Sequence, residues 1–125
     1  MKVTSDDVTV SGFTITGAGV NPETDAGILL QEVSGCTITG NRVVDNATAG
    51  MLLFMADGNT VSDNLLEDNT IGGIVLYGSS DNDVTGNEVS GTQAHPVPAL
   101  NLKGWGIAIE SIRLGDGQGV FSTGN

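Results

Sequence analysis

A chain of 125 residues and 12.7 kDa is one domain-sized unit, long enough to bury a core without a metal or disulfide staple, and its single cysteine, Cys36, offers no internal bridge. Fifteen acidic against four basic residues give a net charge of −11; Lys2, Arg42, Lys103 and Arg113 are too few and too scattered to displace counterions from phosphates, which excludes nucleic acid as a partner. The same charge repels anionic lipid, and repels polyuronate sugars unless a cation bridges the two, while suiting a high-salt setting in which self-repulsion is screened.

The N-terminal stretch "MKVTSDD" has no apolar segment of the kind a secretion signal needs, and no run approaches the length of a membrane span. Any export signal is therefore expected outside this sequence. From Asp7 onward the chain repeats itself. Residues 7–35 hold three short apolar pieces, at Val10, at Ile15 and at Ile28 to Leu30, with "GVNPE" or a similar five-residue stretch as an insertion. Residues 36–58 and 59–81 are closer copies: Ile38, Val61 and Val84 are spaced 23 residues apart, twice over. The neighbouring columns keep that spacing: Asn41, Asn64 and Asn87; Val43, Leu66 and Val89; Asn46 and Asn69; Gly50 and Gly73; Met51 and Ile74; Leu53 and Leu76. In residues 82–114 the pattern resumes late, at Gly106, Ile107 and Ile109, so about ten extra residues lie near 92–105, in "TQAHPVPALNLKGW". Residues 115–125 are a flexible end or an incomplete next copy.

None of these pieces carries the i, i+3, i+4 stripe of a helix. "TVS" and "TIT" alternate polar with apolar, as half-buried strands do, whereas "GMLLF" and "GIVLY" are apolar throughout, as strands covered on both faces are. Three strands and three turns per 23 residues describe one coil of a solenoid, and each coil buries its apolar column only by stacking on the next. The expected fold is all-β, a right-handed parallel β-helix of about four coils, forming one domain or part of a longer array. Asparagines at equivalent corners are expected to take the left-handed turn conformation and to bond amide to amide between coils. Loss of a buried one such as Asn64 should cost about 1 to 3 kcal/mol, while Asn59 and Asn82 are expected on the surface.

The run "CTITGNRVVDN…GMLLF…NTVSDNLLEDN…GGIVLY…NDVTGNEVSG" resembles the right-handed parallel β-helix repeats of the pectate-lyase-like superfamily, and within it the NosD-like repeats. That resemblance covers about Asp7 to Gly91 and resumes at Gly106 to Ile109. It implies the fold, and it implies polysaccharide lyases, hydrolases, epimerases and copper-site accessory proteins as functional company, so function has to be argued from sites.

Four sets of residues are candidates. Lyases of the resembled superfamily gather carboxylates around calcium, and Asp45 and Asp68 occupy equivalent positions in successive coils, about 5 Å apart if the coils stack as strands do; calcium is the cation this pair would take. The hydrolases use grouped aspartates with a histidine and an Arg-x-Lys segment; here His95 lies in the insertion and no Arg-x-Lys occurs. Copper(I) needs soft ligands, and Cys36, Met51, Met55 and His95 are the candidates, but Met51 reads as a core filler and Cys36 as a corner residue, so copper is not expected. Finally, if Met51 and Leu53 point inward, Leu29 and Gln31, Leu52 and Phe54, Val75 and Tyr77, and Ala108 and Glu110 point outward. That apolar outer face implies cover: by the insertion through Val97, Leu100, Leu102 and Trp105, by a second copy or neighbouring domain, or by a glycan stacked on Phe54 and Tyr77 with Gln31, Glu110 and Trp105 beside them.

The leading expectation is a non-enzymatic structural or binding module of an exported, surface or periplasmic protein, with a polysaccharide or a neighbouring domain as partner. The alternative is a polysaccharide lyase or epimerase, or a fragment of one.

Overall fold

The computed structural model describes residues 1–21, 24–96, 104–110, 112–113, 119–120 and 124–125. The first coil carries β1 (Lys2–Val3), β2 (Thr9–Ser11) and β3 (Thr14–Ile15); the second β4 (Ile28–Gln31), β5 (Thr37–Thr39) and β6 (Arg42–Val44). The third carries β7 (Met51–Phe54), β8 (Thr60–Ser62) and β9 (Leu65–Glu67), and the fourth β10 (Gly72–Tyr77), β11 (Asp83–Thr85) and β12 (Glu88–Ser90). β13 (Trp105–Glu110) begins a fifth rung, followed by an antiparallel pair, β14 (Ile112–Arg113) with β15 (Gly119–Val120).

Every third strand pairs in parallel with the next, giving sheet A (β1-β4-β7-β10-β13), sheet B (β2-β5-β8-β11) and sheet C (β3-β6-β9-β12). The chain is a right-handed parallel β-helix. Register follows the sequence columns: Val10, Ile38, Val61 and Val84 stack in sheet B, and Ile15, Val43, Leu66 and Val89 in sheet C. The five-residue insertion of the first copy falls between β3 and β4, and the ten-residue delay falls between β12 and β13, where Ile74 pairs with Ile107.

Ile28, Leu30, Ile38, Met51, Leu53, Val61, Leu66, Ile74 and Leu76 are fully buried in the coil interior. At about 1.5 to 3 kcal/mol for each large side chain removed from water, this column is the main favourable term. A parallel helix has no other way to hide these side chains, because each coil is one strand thick and its interior is closed only by its neighbours.

The corners are where sequence reasoning needs correction. Among the described residues no asparagine takes positive φ; at the ladder corners the residue before it does. Gly40, Asp45, Gly58, Asp63, Asp68, Asp81, Gly86 and Gly124 all lie in the left-handed region, each followed by an asparagine. The left-handed residue turns the chain and aims the following amide inward. Asn59 and Asn82, expected on the surface, are 1% and 2% exposed. Each ladder repeats one pattern: Asn64 Oδ1 accepts from the backbone N–H and the Nδ2 of Asn41, both at 3.0 Å, and Asn64 Nδ2 donates to Ile38 O and Ser62 O, both at 2.9 Å. Asn41, Asn46, Asn59, Asn69 and Asn82 make equivalent bonds, so the corner backbone groups that no strand pairs are satisfied by side chains.

Candidate functional site

The outer face of sheet A is the first place to look, because Leu29, Leu52, Val75 and Ala108 stack there in register. An open apolar patch is not what the structure shows: these residues are 1%, 5%, 9% and 9% exposed and form a second buried cluster with Ala26 and Ala49. Trp105 packs half-buried against that cluster. Val97, Leu100 and Leu102, the other residues expected to cover this face, lie outside the described residues.

What remains accessible is the C-terminal edge of the face. Gln31, Phe54, Tyr77 and Glu110 occupy one column on four successive rungs. Phe54 and Tyr77 are half-buried, with ring centroids 5.9 Å apart and planes inclined by 43°. Both rings pack against the apolar cluster and keep part of their surface exposed. Of the five binding residues expected from sequence, the structure gathers these four; Trp105 stands at the opposite end of β13, level with Gly72, and does not join them.

Sequence reasoning missed a hollow just past this column. Asp6, Glu32, Val33, Ser34, Met55 and Asp57 line a depression of about 280 Å³. Asp6 Oδ1 accepts from the Ser34 backbone N–H at 2.7 Å, and Asp57 Oδ1 from that of Ser80 at 2.7 Å, so both carboxylates are held by the corner of the next coil. Glu32 and Met55 sit at φ of 53° and 49°, where the equivalent residue one coil later is Gly78. The signal was in the sequence as a column holding Glu, Met and Gly, but its meaning depends on the backbone angle.

Asp45 and Asp68 stand at equivalent corners of coils two and three, both exposed and both left-handed. Their conformation gives them a structural task. The Asp68 carboxylate lies over the Cα of Gly91 in the next coil, filling the space a side chain there would need, as the Asp63 carboxylate does over Gly86. Among the described residues, no group of three or more His, Cys, Asp or Glu side chains converges as metal ligands would.

The soft side chains are dispersed. Cys36 is 1% exposed and replaces an asparagine in its ladder: its single S–H faces Ser5 O at 3.4 Å and Ser34 O at 3.6 Å, the two acceptors an amide nitrogen would use. Met51 is fully buried between Ile28 and Ile74, Met55 lines the hollow, and His95 lies in the connection to β13. No helix among the described residues is long and apolar enough to cross a membrane.

A family model described as "Periplasmic copper-binding protein (NosD)" matches residues 3–110. No curated protein sequence and no solved structure gives a significant match.

Proposed function

This chain belongs to the NosD family of periplasmic β-helix proteins, and from that premise we propose that it is a non-enzymatic binding module that presents the Phe54–Tyr77 edge of sheet A to a neutral carbohydrate. The observation that carries this reading is the aromatic pair held in register on neighbouring rungs and half-open to solvent. Tilted rings at strand spacing offer two platforms to the C–H faces of successive sugar residues. Gln31, one rung above Phe54, supplies an amide that can both donate and accept. A charge of −11 favours uncharged glycans over polyuronates.

Copper, named by the family description, does not fit these residues. The Cys36 thiol is spent on two carbonyls, Met51 is core, and Met55 and Cys36 belong to different columns. The lyase or epimerase alternative gains no support from Asp45 and Asp68, which act as corner residues.

The test is calorimetric titration with neutral and acidic oligosaccharides, each with and without calcium. A neutral glycan should bind, and Tyr77→Ala should weaken it about tenfold or more, equivalent to 1.4 kcal/mol, in protein whose thermal unfolding stays cooperative. Absence of binding by every glycan, or equal binding by Tyr77→Ala, refutes the site.

A further inference from the structure

The aromatic column has a polar edge that repeats with it. Three residues past each position of the column, across the left-handed corner, stands a hydroxyl or a carboxylate: Ser34 past Gln31, Asp57 past Phe54 and Ser80 past Tyr77. Ser34 and Asp57 are bridged in parallel, so the edge keeps the register of the rungs. Both line the hollow that Met55, the neighbour of Phe54, also lines.

The corner backbone is already spent. The Glu32 N–H donates to Phe54 O at 2.9 Å and the Met55 N–H to Tyr77 O at 3.0 Å, so polar recognition at this edge falls to side chains. Asp57 is the one that is both fixed and open. Its Oδ1 accepts from the Ser80 backbone N–H at 2.7 Å; among the described residues nothing bonds its Oδ2, and the residue is exposed. A carboxylate accepts through both oxygens. With one oxygen held by the next coil, the other is a preoriented, charge-assisted acceptor for a hydroxyl donor.

We infer that the ligand of this edge is a linear, unbranched neutral glycan lying along the solenoid axis, one sugar per rung, and that Asp57 sets its specificity by accepting hydroxyl protons from the sugar stacked on Phe54. The inference rests on the glycan reading of the Phe54–Tyr77 edge proposed above. Rungs repeat at about 4.7 to 4.9 Å, the length scale of one residue in an extended pyranose chain, so successive sugars meet successive rungs. Gln31 before the aromatic pair and Glu110 after it extend the column to four rungs. A branch on the Phe54 sugar would take the place of the hydroxyls that face Asp57, and an acidic sugar there would be repelled by it.

The test is calorimetric titration of the full chain with linear glucan, mannan, galactan and xylan oligosaccharides of one to four residues. For the sugar class that binds, affinity should rise about tenfold or more from the monosaccharide to the tetrasaccharide, equivalent to 1.4 kcal/mol. Asp57→Asn keeps an oxygen for the Ser80 N–H and sets an amide donor where the open acceptor stood; it should weaken the tetrasaccharide about tenfold. Asp57→Ser, which installs the residue type of the adjacent rungs, carries the same expectation should the first variant melt early. Asp6→Asn makes the same charge change on a carboxylate bonded to the Ser34 N–H at 2.7 Å, one rung before Gln31, and should leave the affinity unchanged. Undiminished binding by the Asp57 variants, or an equal loss from Asp6→Asn, overturns the role of Asp57. A monosaccharide that binds as tightly as the tetrasaccharide, with Tyr77→Ala weakening both, overturns the axial chain and leaves the glycan reading standing. Absence of binding by every one of these sugars refutes both.

Discussion

Replacing Asn64 by Ala tests the ladder at its centre. The side chain accepts two hydrogen bonds from Asn41, and its Nδ2 lies within bonding distance of three acceptors, Ile38 O, Ser62 O and Asn87 Oδ1, the last of which keeps the Asn64 backbone N–H as a donor. At 2% exposure the site admits no water to replace them. Asn41 Nδ2 keeps Val10 O and Thr39 O as acceptors, so the Asn41 backbone N–H and the two carbonyls bear the loss. A stranded buried group costs about 1 to 3 kcal/mol, and with some sharing of the carbonyls by strand pairing the total should be about 3 to 4 kcal/mol. Against a total stability of about 5 to 15 kcal/mol, that is a large fraction. Urea denaturation should show the midpoint falling with the slope unchanged. Asn87→Ala is the internal control: its amide makes the same kinds of bonds, but it is half-exposed at the last coil, where water can substitute. Its cost should be less than half that of Asn64→Ala. Equal costs at the two positions, or a loss under about 1 kcal/mol at Asn64, would refute the argument that the ladder works by satisfying buried backbone.

Three further outcomes follow from named contacts. Gly91→Ala should cost more than Gly12→Ala, although both glycines are left-handed, at φ of 65° and 74°, because only Gly91 has a carboxylate, that of Asp68, over its Cα; thermal melts of the pair separate the clash from the shared backbone strain of about 1 to 2 kcal/mol, and equal melts would remove the clash. Cys36→Asn should hold or raise the melting temperature, since the amide restores the ladder contacts that the thiol makes at 3.4 and 3.6 Å, whereas Cys36→Ala should lower it; the reverse order would show that the thiol is packing and not bonding. Glu32→Gly should raise stability by about 1 kcal/mol by relieving a left-handed side chain that is exposed and accepts one long hydrogen bond, from Gln31 Nε2 at 3.4 Å, and a loss on chemical denaturation would contradict the strain assigned to that corner.

The register was legible because it is written in chemistry of one kind. Columns such as Val10, Ile38, Val61 and Val84 hold the same residue class at one spacing, and a coil that slipped would turn every apolar side chain outward. Both insertions were legible for the same reason. The corner geometry was not. Asparagine, aspartate and glycine all tolerate the left-handed region, so pairs such as Asp68–Asn69 do not reveal from sequence which member turns the chain. The structure resolves it through reach: the second residue's amide bridges two coils, and the first residue's carboxylate fills the space above the next glycine. Burial of Asn59 and Asn82 follows from that choice.

A repeat fold also explains why the proposed binding surface is harder to read than the architecture. Stacking dictates a column's chemistry wherever neighbouring coils touch, so interior and ladder columns are nearly uniform, and even Cys36 faces the two carbonyls that the nitrogen of an asparagine would face. The column of Gln31, Phe54, Tyr77 and Glu110 keeps register while its chemistry passes from amide to aromatic to carboxylate, and the corner beside it runs through Glu32, Met55 and Gly78 at one backbone conformation. Stacking asks for neither set of side chains, and the backbone angle opposes two of them. Side chains that stacking does not require, on the one aromatic edge among the described residues, are the part of this sequence that the fold leaves unexplained, and they are where the proposed glycan would act.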